Sequence, residues 1–141
     1  MLHRILSRTD PLMDLVKDDP VRPAIPQDLR LHEYSDIFVL LRDHEPAAVT
    51  CVAYLQNVPK TERELGQHGD SIAVFYTIWS YRAGAGRTLI QEARNWIMTN
   101  RPSIKRYVTL SPKTEMARRF HHNNGARTIS DNDDSVNYEY T

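Results

Sequence analysis

The sequence predicts an α/β (α+β) fold, a central mixed sheet of six to seven mostly antiparallel strands flanked by helices. Three observations predict it. Strand-like runs come in hairpin order in the first half of the chain, around the turn Asp43-His44-Glu45-Pro46. One strand–helix–strand crossover occupies the middle, and a second strand pair closes the chain. The composition, 40% hydrophobic and 26% charged over 141 residues, suits one globular domain spanning 1–141.

The elements follow in order. Leu2 to Ser7 reads as a short strand. Asp10-Pro11 starts a helix, with Asp10 as N-cap and proline in the first turn; Leu12, Leu15 and Val16 form its apolar face. Pro20, Pro23 and Pro26 break it and impose an irregular connection. A short helix follows from Gln27 to Leu31. Asp36 to Arg42 is a strand with an apolar middle, and Ala47 to Leu55 is its return partner. Residues 56–69 are polar, with one helical turn near Thr61 to Leu65. Ser71 to Ser80 is a long strand, Gly86 to Asn100 the main helix, and Pro102 its stop. Lys105 to Leu110 is the next strand. Ser111-Pro112 reads as the cap of a helix over Thr114 to Asn123, closed by Gly125. Arg127 to Ser130 and Val136 to Tyr140 are the last strands, around the polar turn Asp131 to Asp134.

The most informative segment is Tyr81-Arg82-Ala83-Gly84-Ala85-Gly86-Arg87-Thr88, where the apolar run Ile72–Trp79 turns into the main helix. A helix start exposes several unpaired backbone N–H groups, and the helix dipole adds partial positive charge there. Glycine admits positive φ and lets a ligand approach the backbone. Ala83 to Thr88 therefore form a candidate site for a phosphate or pyrophosphate.

Composition excludes other classes. Eighteen basic residues balance eighteen acidic ones, which gives no electrostatic case for nucleic acid. The lone Cys51 cannot form an internal disulfide, fits a reducing, cytoplasmic compartment, and sits in the apolar run Val49–Leu55 as an inert buried thiol. No apolar stretch approaches a membrane span, and residues 1–9 are too short and interrupted for a secretory signal. No metal site is expected: adjacent His121 and His122 diverge on a helix, and Asp131-Asn132-Asp133-Asp134 lacks the spacing of a calcium loop.

The element order and the glycine junction together resemble the GNAT family, the acetyl-CoA-dependent N-acetyltransferases, over nearly the whole chain. The family's pyrophosphate loop reads Gln/Arg-x-x-Gly-x-Gly/Ala; Gly84 and Gly86 match the small positions, while Tyr81 stands at the Gln/Arg position and Arg82 follows it. The family's last helix often reads Asn-x-x-Ala-x-x-Phe-Tyr-x-x-x-Gly-Phe. Ala117, Phe120 and Gly125 match it in register, with His121 in place of the tyrosine.

The resemblance implies acetyl-CoA as co-substrate, its pyrophosphate on Ala83, Gly84, Ala85, Gly86, Arg87 and Thr88. Its pantetheine arm would run between strands Ser71–Ser80 and Lys105–Leu110. A primary amine of a small molecule or protein would attack the thioester directly, in a ternary complex. The oxyanion donor would be a backbone N–H on the fourth strand. His121 is the candidate acid for the leaving thiolate, on the expectation that imidazole titrates near neutrality. The family's usual fourth-strand glutamate is absent, leaving Asp70, with His68 beside it, as the nearest candidate base, or water. Arg87, ahead of Arg82, is expected to supply the phosphate charge that Tyr81 cannot. Alternatives keep the fold without catalysis: a structural or interaction module, such as a phage virion or host-modifying protein with assembly partners in the virion or host cytoplasm, or a CoA-sensing module. The acceptor would meet segments 18–27, 56–69 and 130–135, and Val136–Tyr140 would either pair in a homodimer or stay an edge.

Overall fold

The computed structural model describes residues 1–141. Seven strands form one sheet in the order β1-β2-β3-β4-β5-β7-β6, so Val136–Tyr140, expected to pair in a homodimer or stay an edge, is instead an inner strand paired on both sides. They are β1 (Leu2–Ile5), β2 (Ser35–Arg42), β3 (Glu45–Leu55), β4 (Ile72–Ser80), β5 (Arg106–Thr109), β6 (Arg127–Asp131) and β7 (Val136–Tyr140). Every pairing is antiparallel except β4 with β5, which lie on either side of the crossover helix. The helices are α1 (Gln27–Arg30), α2 (Ala85–Asn100) and α3 (Glu115–Asn123), with 3-10 helices at Pro11–Asp18 and Glu62–Gly66. No helix is long and apolar enough to cross a membrane.

Period-two alternation sorts the strand residues onto two cores. Phe38, Leu40, Val52, Tyr54, Ala73 and Phe75 face α2, where Leu89, Ile90, Ala93 and Ile97 are buried. Ile37, Val39, Cys51, Ala53, Val74 and Tyr76 face the other way, onto Met13 and Val16 of the first 3-10 helix. The caps at Asp10 and Gly125 follow the expected pattern: the Asp10 carboxylate accepts from Leu12 N–H, and Gly125 has φ +94° just past α3. The cap expected at Ser111 lies elsewhere. Thr114 accepts from Ala117 N–H instead, because Ser111 is buried and pairs through its backbone with Val136. The 43–44 turn is tight enough that Asp43 and His44 both adopt positive φ, and β3 begins at Glu45, two residues before the expected Ala47.

One irregularity sets up the site. The β3–β4 register runs Cys51↔Thr77 and then Val52↔Phe75, so Tyr76 is an extra residue on β4. A bulge reverses the alternation beyond it. Tyr76 and Trp79 consequently belong to one core, while Ile78 packs on the other. At the same point β5 leaves: its ladder with β4 ends at Phe75↔Thr109, and the last rung is Leu110 N–H to Phe75 C=O at 3.2 Å. Beyond it the two strands diverge.

Candidate active site

The divergence opens a cleft of about 500 Å³. Its walls are Tyr76 to Ser80 of β4, Leu110 to Pro112 after β5, Pro20 and Val21, and Met116, Ala117, Phe120 and His121 of α3. None of the lining residues is acidic. The α2 N-terminus begins where β4 ends.

The backbone at that junction is arranged as an anion nest. Gly84 is the N-cap of α2 with φ +76° and ψ −9°, a left-handed conformation. A Cβ there would meet nothing within 4 Å, so the glycine is required by the backbone and not by crowding. Gly86 is a glycine for the opposite reason: a Cβ would lie 3.0 Å from Ser80 Oγ and 3.1 Å from the Phe120 ring. The close contact between α2 and α3 needs its missing side chain. Tyr81 N–H bonds Ala47 C=O and Ala85 N–H bonds Arg82 C=O, whereas the N–H groups of Ala83, Gly84, Gly86 and Arg87 have no protein partner. Four free donors at a helix start suit phosphate oxygens.

The side chains around the nest divide. Arg87 is exposed and makes no ion pair, while Arg82 lies 3.6 Å from Asp43 and 3.8 Å from Glu45, turned toward the β2–β3 hairpin. Thr88 Oγ1 accepts from Arg42 at 3.2 Å, which brings a second cation to the first turn of α2. Tyr81 turns away from the nest: its hydroxyl donates to Asp18 at 2.7 Å and accepts from Trp79 Nε1 at 3.0 Å.

His121 is 3% exposed, between α3 and β7. Its ring stacks on Tyr138, its Nδ1 lies 2.7 Å from the Tyr140 hydroxyl, and its Nε2 lies 3.2 Å from Ser111 Oγ. Ser111 O–H donates to Thr109 Oγ1 at 2.8 Å, so Ser111 Oγ accepts from Nε2–H, and Nδ1 accepts from Tyr140. Burial, with a smaller contribution from His122, pulls this imidazole down to about 4. The ring is therefore neutral at neutral pH, which differs from the expectation of a group titrating near 7. Asp70 is exposed at the start of β4, where its N–H bonds the Gln56 side chain. It is not among the residues lining the cleft, and neither is His68, which stacks on Tyr34.

A buried polar cluster that sequence reasoning missed borders the cleft. Asp19 Oδ1 accepts from Val21 N–H, Arg22 N–H and the Thr77 hydroxyl, and Asp19 Oδ2 accepts from Arg30 at 2.8 Å. Arg30, 1% exposed, also donates to Ile25 C=O and Arg22 C=O and approaches Cys51 Sγ at 3.6 Å. Burial alone would raise the Asp19 carboxyl; the hydrogen bonds from Arg22 N–H, Arg30, Thr77 and Val21 N–H outweigh it and hold it below the usual value. Burial pushes the Cys51 thiol up to about 11, so it stays protonated and inert. The signal available in sequence was Asp19-Pro20 with Pro23 and Pro26, a stiff loop whose backbone donors need internal acceptors.

Neither a family model nor a curated protein sequence matches the chain. Solved structures do. An acetyl-CoA-bound GNAT family acetyltransferase from Elizabethkingia anophelis aligns over 99% of this chain and 96% of its own, with TM-score 0.65 and 10% identity. An IAA acetyltransferase from Bacillus cereus aligns over 99% and 97%, with TM-score 0.68 and 12% identity. The chain has the GNAT fold. A malonyl-CoA decarboxylase from Agrobacterium vitis aligns over 85% of this chain with TM-score 0.69 and 23% identity. The chain spans about a third of the length of that decarboxylase, 35%. The nest at Gly84–Arg87 and the β4–β5 cleft lie at the positions where the resemblance led us to expect a pyrophosphate and a pantetheine arm.

Proposed function

We propose that this protein binds acetyl-CoA and transfers its acetyl group to a primary amine by direct attack. The observation that carries this reading is the pairing of four free N–H groups at the α2 start with a cleft at the β4 bulge. Ala83, Gly84, Gly86 and Arg87 would hold the pyrophosphate through the backbone, and Arg87 and Arg42 would add charge. The thioester arm would lie along Tyr76 to Ser80, where the ladder to β5 is absent. An extended chain of amides suits that gap beyond Tyr76, whose C=O Arg22 already occupies, because β4 no longer pairs with β5 there.

The chemistry asks little of charged side chains. An amine must arrive as the free base, and with no carboxylate in the cleft it loses its proton to water. Asp70 would serve only at a distance, as a surface acceptor for that proton. His121, neutral, would hold the Ser111 hydroxyl against the cleft wall and give the departing thiolate a dipolar neighbour instead of an imidazolium proton. The absence of any acidic lining residue also favours a second reading, a GNAT-fold module that binds CoA without turnover.

Thiol release from acetyl-CoA, with polyamines, aminoglycosides and peptides offered in turn, separates the two. Amine-dependent release with an acetylated product detected by mass spectrometry is expected. CoA binding with no release for any amine would favour the module.

A further inference from the structure

Arg22 closes the strand gap that the site depends on. Its Nε donates to Tyr76 C=O at 2.8 Å and a terminal nitrogen donates to Leu110 C=O at 2.8 Å. The first carbonyl belongs to β4 and the second to the residue just after β5, immediately past the last shared rung. A buried carbonyl without a partner is destabilising, and here one guanidinium supplies both partners. The other terminal nitrogen reaches Glu62 at 3.1 Å, on the β3–β4 connection. The side chain is only 12% exposed.

The loop that delivers Arg22 is itself fixed. Asp19 accepts from Arg22 N–H and Val21 N–H, and Arg30 donates to Arg22 C=O. The buried Asp19–Arg30 pair thus presents the guanidinium to the diverging strands as a rigid fork.

We propose that Arg22 is a positioning residue that replaces the missing rung between β4 and β5 and so fixes the width of the groove that receives the pantetheine arm. The inference rests on the CoA-binding reading above. Arg22 touches no reacting atom; it acts through Tyr76 and Leu110, both of which line the cleft. The phosphate nest on α2 does not contact it, so the two halves of the ligand should respond differently to its loss.

The test is calorimetric titration of CoA and of 3′,5′-ADP, which carries the adenosine and phosphate half without the pantetheine arm, into the wild-type chain and into Arg22→Ala, Arg22→Gln and Arg22→Lys. The expected result is about a tenfold weakening of CoA in Arg22→Ala with 3′,5′-ADP unchanged within about twofold, and about threefold for Arg22→Lys, which keeps the charge but not the fork. Unchanged CoA affinity, or tighter binding, would overturn the proposal; tighter binding would make Arg22 a plug. Equal weakening of both ligands would also overturn it, because Arg22 would then serve the fold in general. Should Arg22→Ala not fold, Arg22→Gln and Arg22→Lys carry the same comparison. A wild-type chain that binds neither ligand would sink the CoA reading itself, and this inference with it.

Discussion

Asp19→Ala is expected to be the most damaging single substitution outside the two apolar cores. It removes one carboxylate that receives four hydrogen bonds, from Val21 N–H, Arg22 N–H, the Thr77 hydroxyl and Arg30. It also strands the Arg30 guanidinium, 1% exposed, with only carbonyls and a thiol for neighbours. Breaking a buried pair on one side typically costs about 3–5 kcal/mol, against a total stability of about 5–15 kcal/mol. For a chain of this size, that corresponds to a fall in Tm on the order of 10 °C or more. Replacing both partners, as in Asp19→Leu with Arg30→Met, should recover much of the loss, since no charge is then left unpaired. The exposed pair Asp14–Lys17 provides the contrast: Lys17→Ala should leave the stability nearly unchanged. Urea unfolding of the wild type and these three variants measures all of this. A loss below about 1 kcal/mol for Asp19→Ala would refute the reasoning, because it would mean that Arg30 finds water or another acceptor without strain.

Other expectations follow from the same geometry. The depressed carboxyl of Asp19 stabilises the fold above its unfolded value of 3.8, and that contribution should fade as pH falls through the lower folded value. His121 is held at about 4 against 6.5 when unfolded, so the unfolded chain binds the extra proton in between. Stability should therefore fall from pH 6.5 toward 4, by about 3 kcal/mol at most, and His121→Phe should remove that slope; an unchanged slope in chemical denaturation would place the ring in water. Gly84→Ala should cost about 1 kcal/mol through its backbone alone, whereas Gly86→Val should cost about 1–3 kcal/mol through Phe120 and also weaken CoA. Arg87→Ala should weaken CoA more than dephospho-CoA comparisons attribute to the 3′-phosphate, while Arg82→Ala, already engaged near Asp43 and Glu45, should change it by less than a factor of about two.

How much of this was legible beforehand depended on the range of the interactions. The strands, the crossover and the glycine junction are local: alternation, proline stops and paired glycines mark them in short windows, and the seven-stranded sheet follows from their order. The bulge at Tyr76 left no local mark, because Ile72–Trp79 reads as an uninterrupted apolar strand; only the partner register exposes the extra residue. The Asp19–Arg30–Arg22 cluster joins residues far apart in sequence, Arg22 with Leu110 across 88 positions, and in a linear reading each resembles a surface charge. His121 was found through its register in α3, but its protonation was not, because the tyrosines that bury it come from β7. Gly86 was expected to make room for a ligand, and its tightest neighbours are instead Ser80 and Phe120.

The central claim is that the free N–H groups at the start of α2 hold the pyrophosphate of CoA. Titration of millimolar CoA into the wild-type chain and Gly84→Val, followed by calorimetry and thermal melting, tests it most directly. The wild type should release heat with one site per chain, and its melting temperature should rise with ligand concentration, by about 2.7 kcal/mol of added stability when CoA stands at a hundred times its Kd. Gly84→Val should remain folded and lose most of that response. No heat and no melting shift in the wild type would contradict the claim and leave the nest as a strand–helix junction alone.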